Sequence, residues 1–281
     1  MNVWSPSGTL QERILKMNKV SQEQAKGILA KVRTKAEKLK PRFLIYGREG
    51  VGKTSFPAHM PKPLFLMSRG EDGLKTLVAN KQLKEVPHLD EFTDWISFRQ
   101  VIKSLIKDEH DFETIVLDCL DGFQMLLHDF VRDNEFQGSI AKFNHFRKGA
   151  DAAVTHFESL IVDLERLRQQ RDCTIVMLAH SVVGTRTNPL GIDATIYQIN
   201  ADKKIAPQAK AWADFVLFMN FLSSVSEDGK GTGGTQRICY CNPADGYDAK
   251  SRVKMPNSFS LGNTSEEGYQ NFISHYKKGT E

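Results

Sequence analysis

The stretch that most restricts how this chain can fold is Phe43 to Ser55, FLIYGREGVGKTS. A short apolar run ends at Gly47, and the spacing Gly47-x-x-x-x-Gly52-Lys53-Thr54 follows. That is the phosphate-binding loop pattern, placed where a strand should turn into a helix. Each residue type has a physical reason. Gly47, Gly50 and Gly52 are expected to permit positive φ, so that consecutive N–H groups point into one concavity. The loop expected to hold the phosphates of ATP is thus Gly47, Arg48, Glu49, Gly50, Val51, Gly52, Lys53, Thr54 and Ser55. A helix starting near Lys53 adds its dipole and unpaired amides to the anion site. Lys53 is expected to reach the outer phosphates, and the Thr54 hydroxyl to hold Mg²⁺.

A length of 281 residues suggests one large domain or one domain with an appendage. Hydrophobic residues at 40% suffice for a real core, and charged residues at 26% are ordinary for a globular protein. No apolar run approaches the roughly 20 residues of a membrane span. The N-terminus MNVWSPSGTL lacks the basic-then-apolar pattern of a secretory signal, so a cytoplasmic protein without a membrane partner is expected. The four cysteines (Cys119, Cys173, Cys239, Cys241) show no C-x-x-C pair and read as buried free thiols.

The net charge of +4 is too mild to demand a polyanionic partner, but its distribution is uneven. Residues 1–42 carry ten Lys or Arg against three Asp or Glu, or +7, and the rest carry 28 against 31, or −3. Thr9-x-x-Glu12 and Ser21-x-x-Gln24 read as capping boxes, which predicts a helical hairpin with helices at about 10–18 and 22–39. One face of the second helix is apolar and the rest is Lys-rich. That suits either a solvated helix on its own core or a nucleic-acid or subunit contact. Pro41 closes the helix, so a basic helical segment at 1–40 and a core at 41–281 are expected.

Downstream, strand-like and helix-like segments alternate, which points to an α/β fold with a mainly parallel sheet. Pro57, Pro61 and Pro63 cut short the helix after the phosphate loop, and PLFLM at 63–67 reads as the next strand. An amphipathic helix at about 93–108 precedes TIVLD at 114–118, an apolar strand ending in Asp118. A carboxylate at that strand end can hold Mg²⁺. ATPases of the AAA+ type place the water-activating Glu directly after this Asp, but here Cys119 follows. Glu71, just beyond the 63–67 strand, is the natural base because neighbouring parallel strands end side by side; Asp72 could trade roles with it, and an exposed acidic turn is the bland alternative.

Residues 134–149, with Phe136, Phe143 and Phe146 among Lys142, Arg147 and Lys148, suit single-stranded nucleic acid or, equally, a core contact. A long helix at about 150–170 leads to CTIVMLA at 173–179, a strand ending in His180, where a polar side chain can meet the γ-phosphate. Residues 181–211 read as a long polar loop carrying Arg186, Lys203 and Lys204. The tail is β-rich, with strands at about 212–221 and 235–241, and Thr264-x-x-Glu267 starts a last helix.

This ordered set resembles the RecA-like recombinase ATPases, most closely the phage-encoded branch acting in single-strand annealing and recombination. The resemblance rests on GREGVGKT (47–54), PLFLMSRGEDGL (63–74), TIVLD (114–118), TIVMLAH (174–180) and KSRVKMP (250–256). It implies a RecA-like core that hydrolyses ATP with Mg²⁺ and binds single-stranded DNA as a filament or ring, in a phage-infected bacterial cell. It assigns water activation to Glu71. It also makes His180, where recombinases usually have Gln, the link from nucleotide to a DNA loop. Lys250 and Arg252, with Pro256 beyond them, resemble the pair that reaches across a filament interface to a neighbour's ATP. The two DNA loops map to about 132–149 and 181–208. Departures from the family are the short proline-broken helix, the extra Arg69 and Gly70 before Glu71, and the basic N-terminal segment. The rival readings are a nucleotide-switched DNA-binding or annealing module with little turnover, and a nucleotide-dependent scaffold.

Overall fold

The structure is a computed structural model that describes residues 38–187, 191–225 and 231–280. The helical hairpin expected at residues 1–40 lies outside the described residues up to position 37.

In chain order the strands are β1 (Arg42–Gly47), β2 (Pro63–Met67), β3 (His88–Leu89), β4 (Thr114–Asp118), β5 (Thr174–Arg186), β6 (Ala194–Ile199), β7 (Phe215–Val225), β8 (Gly231–Tyr240), β9 (Lys250–Ser251) and β10 (Ser258–Ser260). The helices are α1 (Ser55–Ala58), α2 (Gly73–Ala79), α3 (Trp95–Lys107), α4 (Leu120–Glu135), α5 (Ile140–Asn144), α6 (Lys148–Arg171), α7 (Ile205–Trp212) and α8 (Ser265–Thr280).

The main sheet runs β10-β8-β7-β1-β5-β4-β2-β3. From β7 to β3 every neighbouring pair is parallel, whereas β8, β9 and β10 add antiparallel strands at the C-terminal end of the chain. The expected mainly parallel α/β core with a β-rich C-terminal part is therefore the fold observed. The apolar runs explain it: β1, β2 and β4 are buried almost end to end, as strands covered on both faces must be. Because side chains alternate along a strand, Leu44 and Tyr46 enter one core with Phe98, Phe123 and Phe157 from α3, α4 and α6. Phe43 and Ile45 enter the other, against Phe56 of α1 and Phe272 of α8.

Strand order places the site. β5 lies between β1 and β4, and Gly47 pairs with His180 on one side and Met219 on the other. Met67 pairs with Asp118, so β2 and β4 end at the same level.

Several local expectations are corrected. Residues 181–211 are not a loop: β5 runs on to Arg186, pairs antiparallel with β6, and α7 follows. Beyond His180 the outer half of β5 leaves the packed sheet, and its side chains become half-buried or exposed. Its sequence therefore lacks the apolar run that marks the inner half of β5. Trp212 belongs to α7, and β7 starts only at Phe215. The 150–170 helix begins earlier, at Lys148, directly after Phe146 (φ 48) and Arg147 (φ 61) interrupt the chain in left-handed conformations.

Candidate active site

A cavity of about 800 Å³ opens at the C-terminal ends of the parallel strands. Gly50, Gly52, Lys53, Thr54, Glu71, Asp72, Asp118 and His180 all line it, so residues spread over 130 positions converge on one space. Gly50 (φ +72) and Gly52 (φ +103) hold the backbone path that turns N–H groups inward. Gly47 does not have positive φ, which corrects its expected role. A Cβ there would lie 2.0 Å from the Met219 carbonyl oxygen, so Gly47 is required by close approach to β7. The Val51 side chain points into the core, so only its backbone serves the loop.

Lys53 is buried, and Nζ donates a 2.9 Å hydrogen bond to the Arg48 carbonyl. Burial pulls its pKa down, against the opposing pull of Asp118. A buried lysine at the phosphate loop is a site that an anion relieves. Thr54 Oγ1 donates to Asp118 Oδ2 at 3.0 Å. Burial, and then the charge of Glu71, pushes the Asp118 carboxyl up to about 7. A hydroxyl and a buried carboxylate in contact are two hard oxygen donors, the set that Mg²⁺ takes beside phosphate. The residues present thus fit both ATP phosphates and Mg²⁺.

Glu71 sits in the turn after β2. Cys119 Sγ donates to its Oε1 at 2.9 Å, and His180 Nδ1 lies 3.9 Å from the same oxygen. His180 is held from the other side: Asp121 Oδ2 is 2.8 Å from Nδ1, and Asp121 Oδ1 accepts the His180 N–H at 3.2 Å. The bond from Asp121 raises the His180 pKa above its ordinary value. Burial works against the Asp121 charge, but the bonds from His180 and Cys119 outweigh it and hold that carboxyl below the usual range. Asp72 lines the cavity but is exposed and stands at the N-terminus of α2.

Asp121 and Arg237 were not anticipated. Asp121 stands three residues past Asp118 in the first turn of α4, a spacing visible in TIVLDCLD once that helix start is known. Arg237 comes from β8, with Nη1 3.0 Å from where a Cβ on Gly52 would stand. Its Nη2 donates to the carbonyls of Gly262 and Thr264, before α8. No local signal marks it, because only the fold brings β8 over the phosphate loop.

The sequence model of the family described as "AAA domain" matches residues 39–253. The chain belongs to the AAA domain family. No curated protein matches it. Among solved structures, the crystal structure of the RadB recombinase is similar with a TM-score of 0.50 and 13% identity, covering 82% of this chain and 90% of that one. At that identity the likeness concerns the fold, and it agrees with the RecA-like core expected from the motifs.

The matched stretch of this AAA domain runs from just before β1 to Val253 and contains every strand end that lines the cavity. Lys250 and Arg252 do not line it. Lys250 Nζ donates to the Ala211 carbonyl at 3.3 Å and to that of Lys210, near the end of α7, and Arg252 pairs with Asp214 at 2.9 Å. The cations expected to meet DNA fall into two groups. Lys142 and Lys148 line a second cavity with Phe136 and His145. Arg147 pairs with Asp202, Lys204 with Asp151, and Arg186 with Asp248, while Lys203 is exposed. Phe143 packs against the core and Phe136 beside it, but Phe146 is 84% exposed. Among the described residues, no helix is long and apolar enough to cross a membrane.

Proposed function

We propose that this AAA domain hydrolyses ATP and couples the reaction to single-stranded DNA bound by an oligomer, in phage-type recombination or strand annealing. The observation that carries the reading is the convergence of Lys53, the Thr54–Asp118 pair and Glu71 on one cavity over the phosphate loop. Mg²⁺, when bound, offsets the charge that builds up on the β- and γ-phosphates. Loop amides from Gly50 to Thr54 orient the phosphates, and Lys53 holds the outer ones. Glu71, its Oε1 steadied by Cys119, orients the attacking water and takes its proton. His180, held in place by Asp121, lines the same cavity and is the side chain that would meet the γ-phosphate.

The same His180 starts the outer half of β5, so a shift at the phosphate is transmitted along one continuous strand to Arg186. That hairpin, with the Phe136–Lys142–Lys148 cavity and the exposed Phe146 ring, supplies the cations and aromatic faces that single strands need. The recombinase named in the structural comparison is consistent with such a role. Lys250 and Arg252 act on a neighbouring subunit's nucleotide in the assembled form.

Steady-state ATP turnover with and without single-stranded DNA tests the proposal. Stimulation by DNA that Lys53→Ala abolishes is expected, with DNA affinity falling steeply as salt rises. Turnover at the no-enzyme background under both conditions would end the hydrolytic reading.

A further inference from the structure

We propose that Glu71, Cys119 and His180, with Asp121 as fourth donor, form a binding site for Zn²⁺, separate from the Thr54–Asp118 pair. The three donors arrive from three strand ends: the turn after β2, the residue after β4, and the point where β5 leaves the packed sheet. Their ligating atoms all lie within 4.8 Å of one another, and among the described residues no other such group of His, Cys, Asp and Glu comes this close. The separations are 2.9 Å (Cys119 Sγ to Glu71 Oε1), 3.6 Å (Cys119 Sγ to His180 Nδ1) and 3.9 Å (His180 Nδ1 to Glu71 Oε1). A tetrahedral zinc with ordinary Zn–S, Zn–N and Zn–O bonds has ligand-to-ligand edges of roughly 3.3–3.6 Å. The observed triangle brackets that range, and the proposed fourth donor, Asp121 Oδ2, lies 2.8 Å from His180 Nδ1.

Donor chemistry selects the ion. Mg²⁺ and Ca²⁺ take oxygen, whereas thiolate and imidazole with carboxylate suit zinc. Cys119 is also braced from outside the cluster, since Ser68 Oγ accepts its N–H at 3.0 Å, and within the cluster Asp121 Oδ1 accepts the His180 N–H at 3.2 Å. Outer contacts of this kind are what hold ligating side chains in a working geometry. Cys119 is buried, but Glu71 and His180 line the nucleotide cavity, so the ion has a route in from solvent.

Binding is ligand exchange without redox change. The Cys119 S–H bond breaks as Zn–S forms and the proton passes to solvent. His180 Nδ1 likewise releases its proton and gives its lone pair to the ion. With zinc in place, Glu71 cannot take a proton from water and His180 cannot face phosphate, so zinc acts as a brake on turnover. This consequence rests on the hydrolytic reading above; the site itself does not.

Titrating the metal-stripped full-length protein with Co²⁺ tests the site without reference to turnover. One equivalent should give a thiolate-to-cobalt charge-transfer absorption and intense tetrahedral visible bands, both erased by competing Zn²⁺. Cys119→Ser should abolish the charge-transfer band, and Cys239→Ser should leave it. If Cys119→Ser fails to fold, as judged by circular dichroism, His180→Gln keeps the thiol and should weaken zinc binding on the order of 10-fold or more, the scale seen even for outer-shell changes. A folded wild-type protein without the band would overturn the proposal, as would binding indifferent to these substitutions. An intact band in a protein that never turns over ATP would sink the hydrolytic reading alone.

Discussion

Thr54 Oγ1 donates a 3.0 Å hydrogen bond to Asp118 Oδ2, joining the end of the phosphate loop to the end of β4. This bond joins the two oxygens that the proposed function assigns to Mg²⁺. Asn at position 118 still accepts from Thr54 and removes a carboxylate whose burial is costly. Asp118→Asn should therefore leave the nucleotide-free melting temperature unchanged or higher, yet lose the rise that Mg²⁺–ATP gives wild type. Thermal melts with and without Mg²⁺–ATP check both halves.

Glu71 and Asp72 separate by environment. Glu71 is half-buried and in contact with Cys119, whereas Asp72 is exposed at the start of α2. Glu71→Gln should lower ATP turnover by roughly 10²–10⁴-fold, the usual share of a positioned base, with nucleotide affinity nearly intact. Asp72→Asn should cost much less. Steady-state kinetics with fluorescent-nucleotide titration would reassign the base if the larger loss fell on Asp72.

Two loop glycines should fail differently. A Cβ on Gly47 meets the β7 backbone at 2.0 Å and must push β1 from β7, so Gly47→Ala should cost about 3 kcal/mol or more. Gly50 has φ +72 and nothing within 4 Å, so Gly50→Ala should cost only about 1–2 kcal/mol of backbone strain. Urea unfolding of the nucleotide-free proteins measures both.

Arg252 is paired with Asp214 in its own chain, and that pairing competes with a role at a neighbour's nucleotide. If the proposed trans role holds, Arg252→Ala should lower turnover strongly, toward the ~10³-fold scale of arginine fingers, at unchanged nucleotide affinity. Mixing Arg252→Ala with Lys53→Ala subunits should then restore part of the activity, because each supplies what the other lacks. No restoration, with a loss of stability instead, would mark Arg252 as Asp214's partner only.

Asp214 also predicts a pH response. It accepts from Arg42 Nη2 at 2.7 Å and Nε at 3.0 Å, and it is itself largely buried. Burial opposes its charge, but the Arg42 bonds and the Arg252 charge prevail and depress its pKa below the ordinary 3.8. The unfolded chain therefore binds the proton first as pH falls. This stability is fully present above about pH 4 and is lost as pH drops through the lower folded value. Asp214→Asn should cost about 3 kcal/mol at pH 7, most of it through Arg42 since Arg252 is half exposed, and the gap to wild type should narrow below about pH 3. Denaturant titrations across pH check the sign.

Much of the fold was legible because it is written in local terms. Continuous apolar runs marked β1, β2 and β4, and Thr264-x-x-Glu267 marked the start of α8. There Thr264 Oγ1 accepts the Glu267 N–H, and Glu267 accepts from Asn263. The stretch at 181–211 differs from its expected loop because the outer half of β5 is half-buried or exposed and β6 buries only Ile196 and Ile199, so no continuous apolar run marks the hairpin. The short α2 was not foreseen, since it buries only Leu74.

By itself the sequence determined the phosphate loop, the strand ending in Asp118 and the mainly parallel α/β class, since residue spacing and apolar periodicity act over a few neighbours. Tertiary structure alone decided that β5 lies between β1 and β4, that Cys119, Glu71, His180 and Asp121 meet, and that Arg237 lies over Gly52. Strand order and long-range register follow from how both faces of the sheet pack against their helices, a property of the whole core that no short stretch carries.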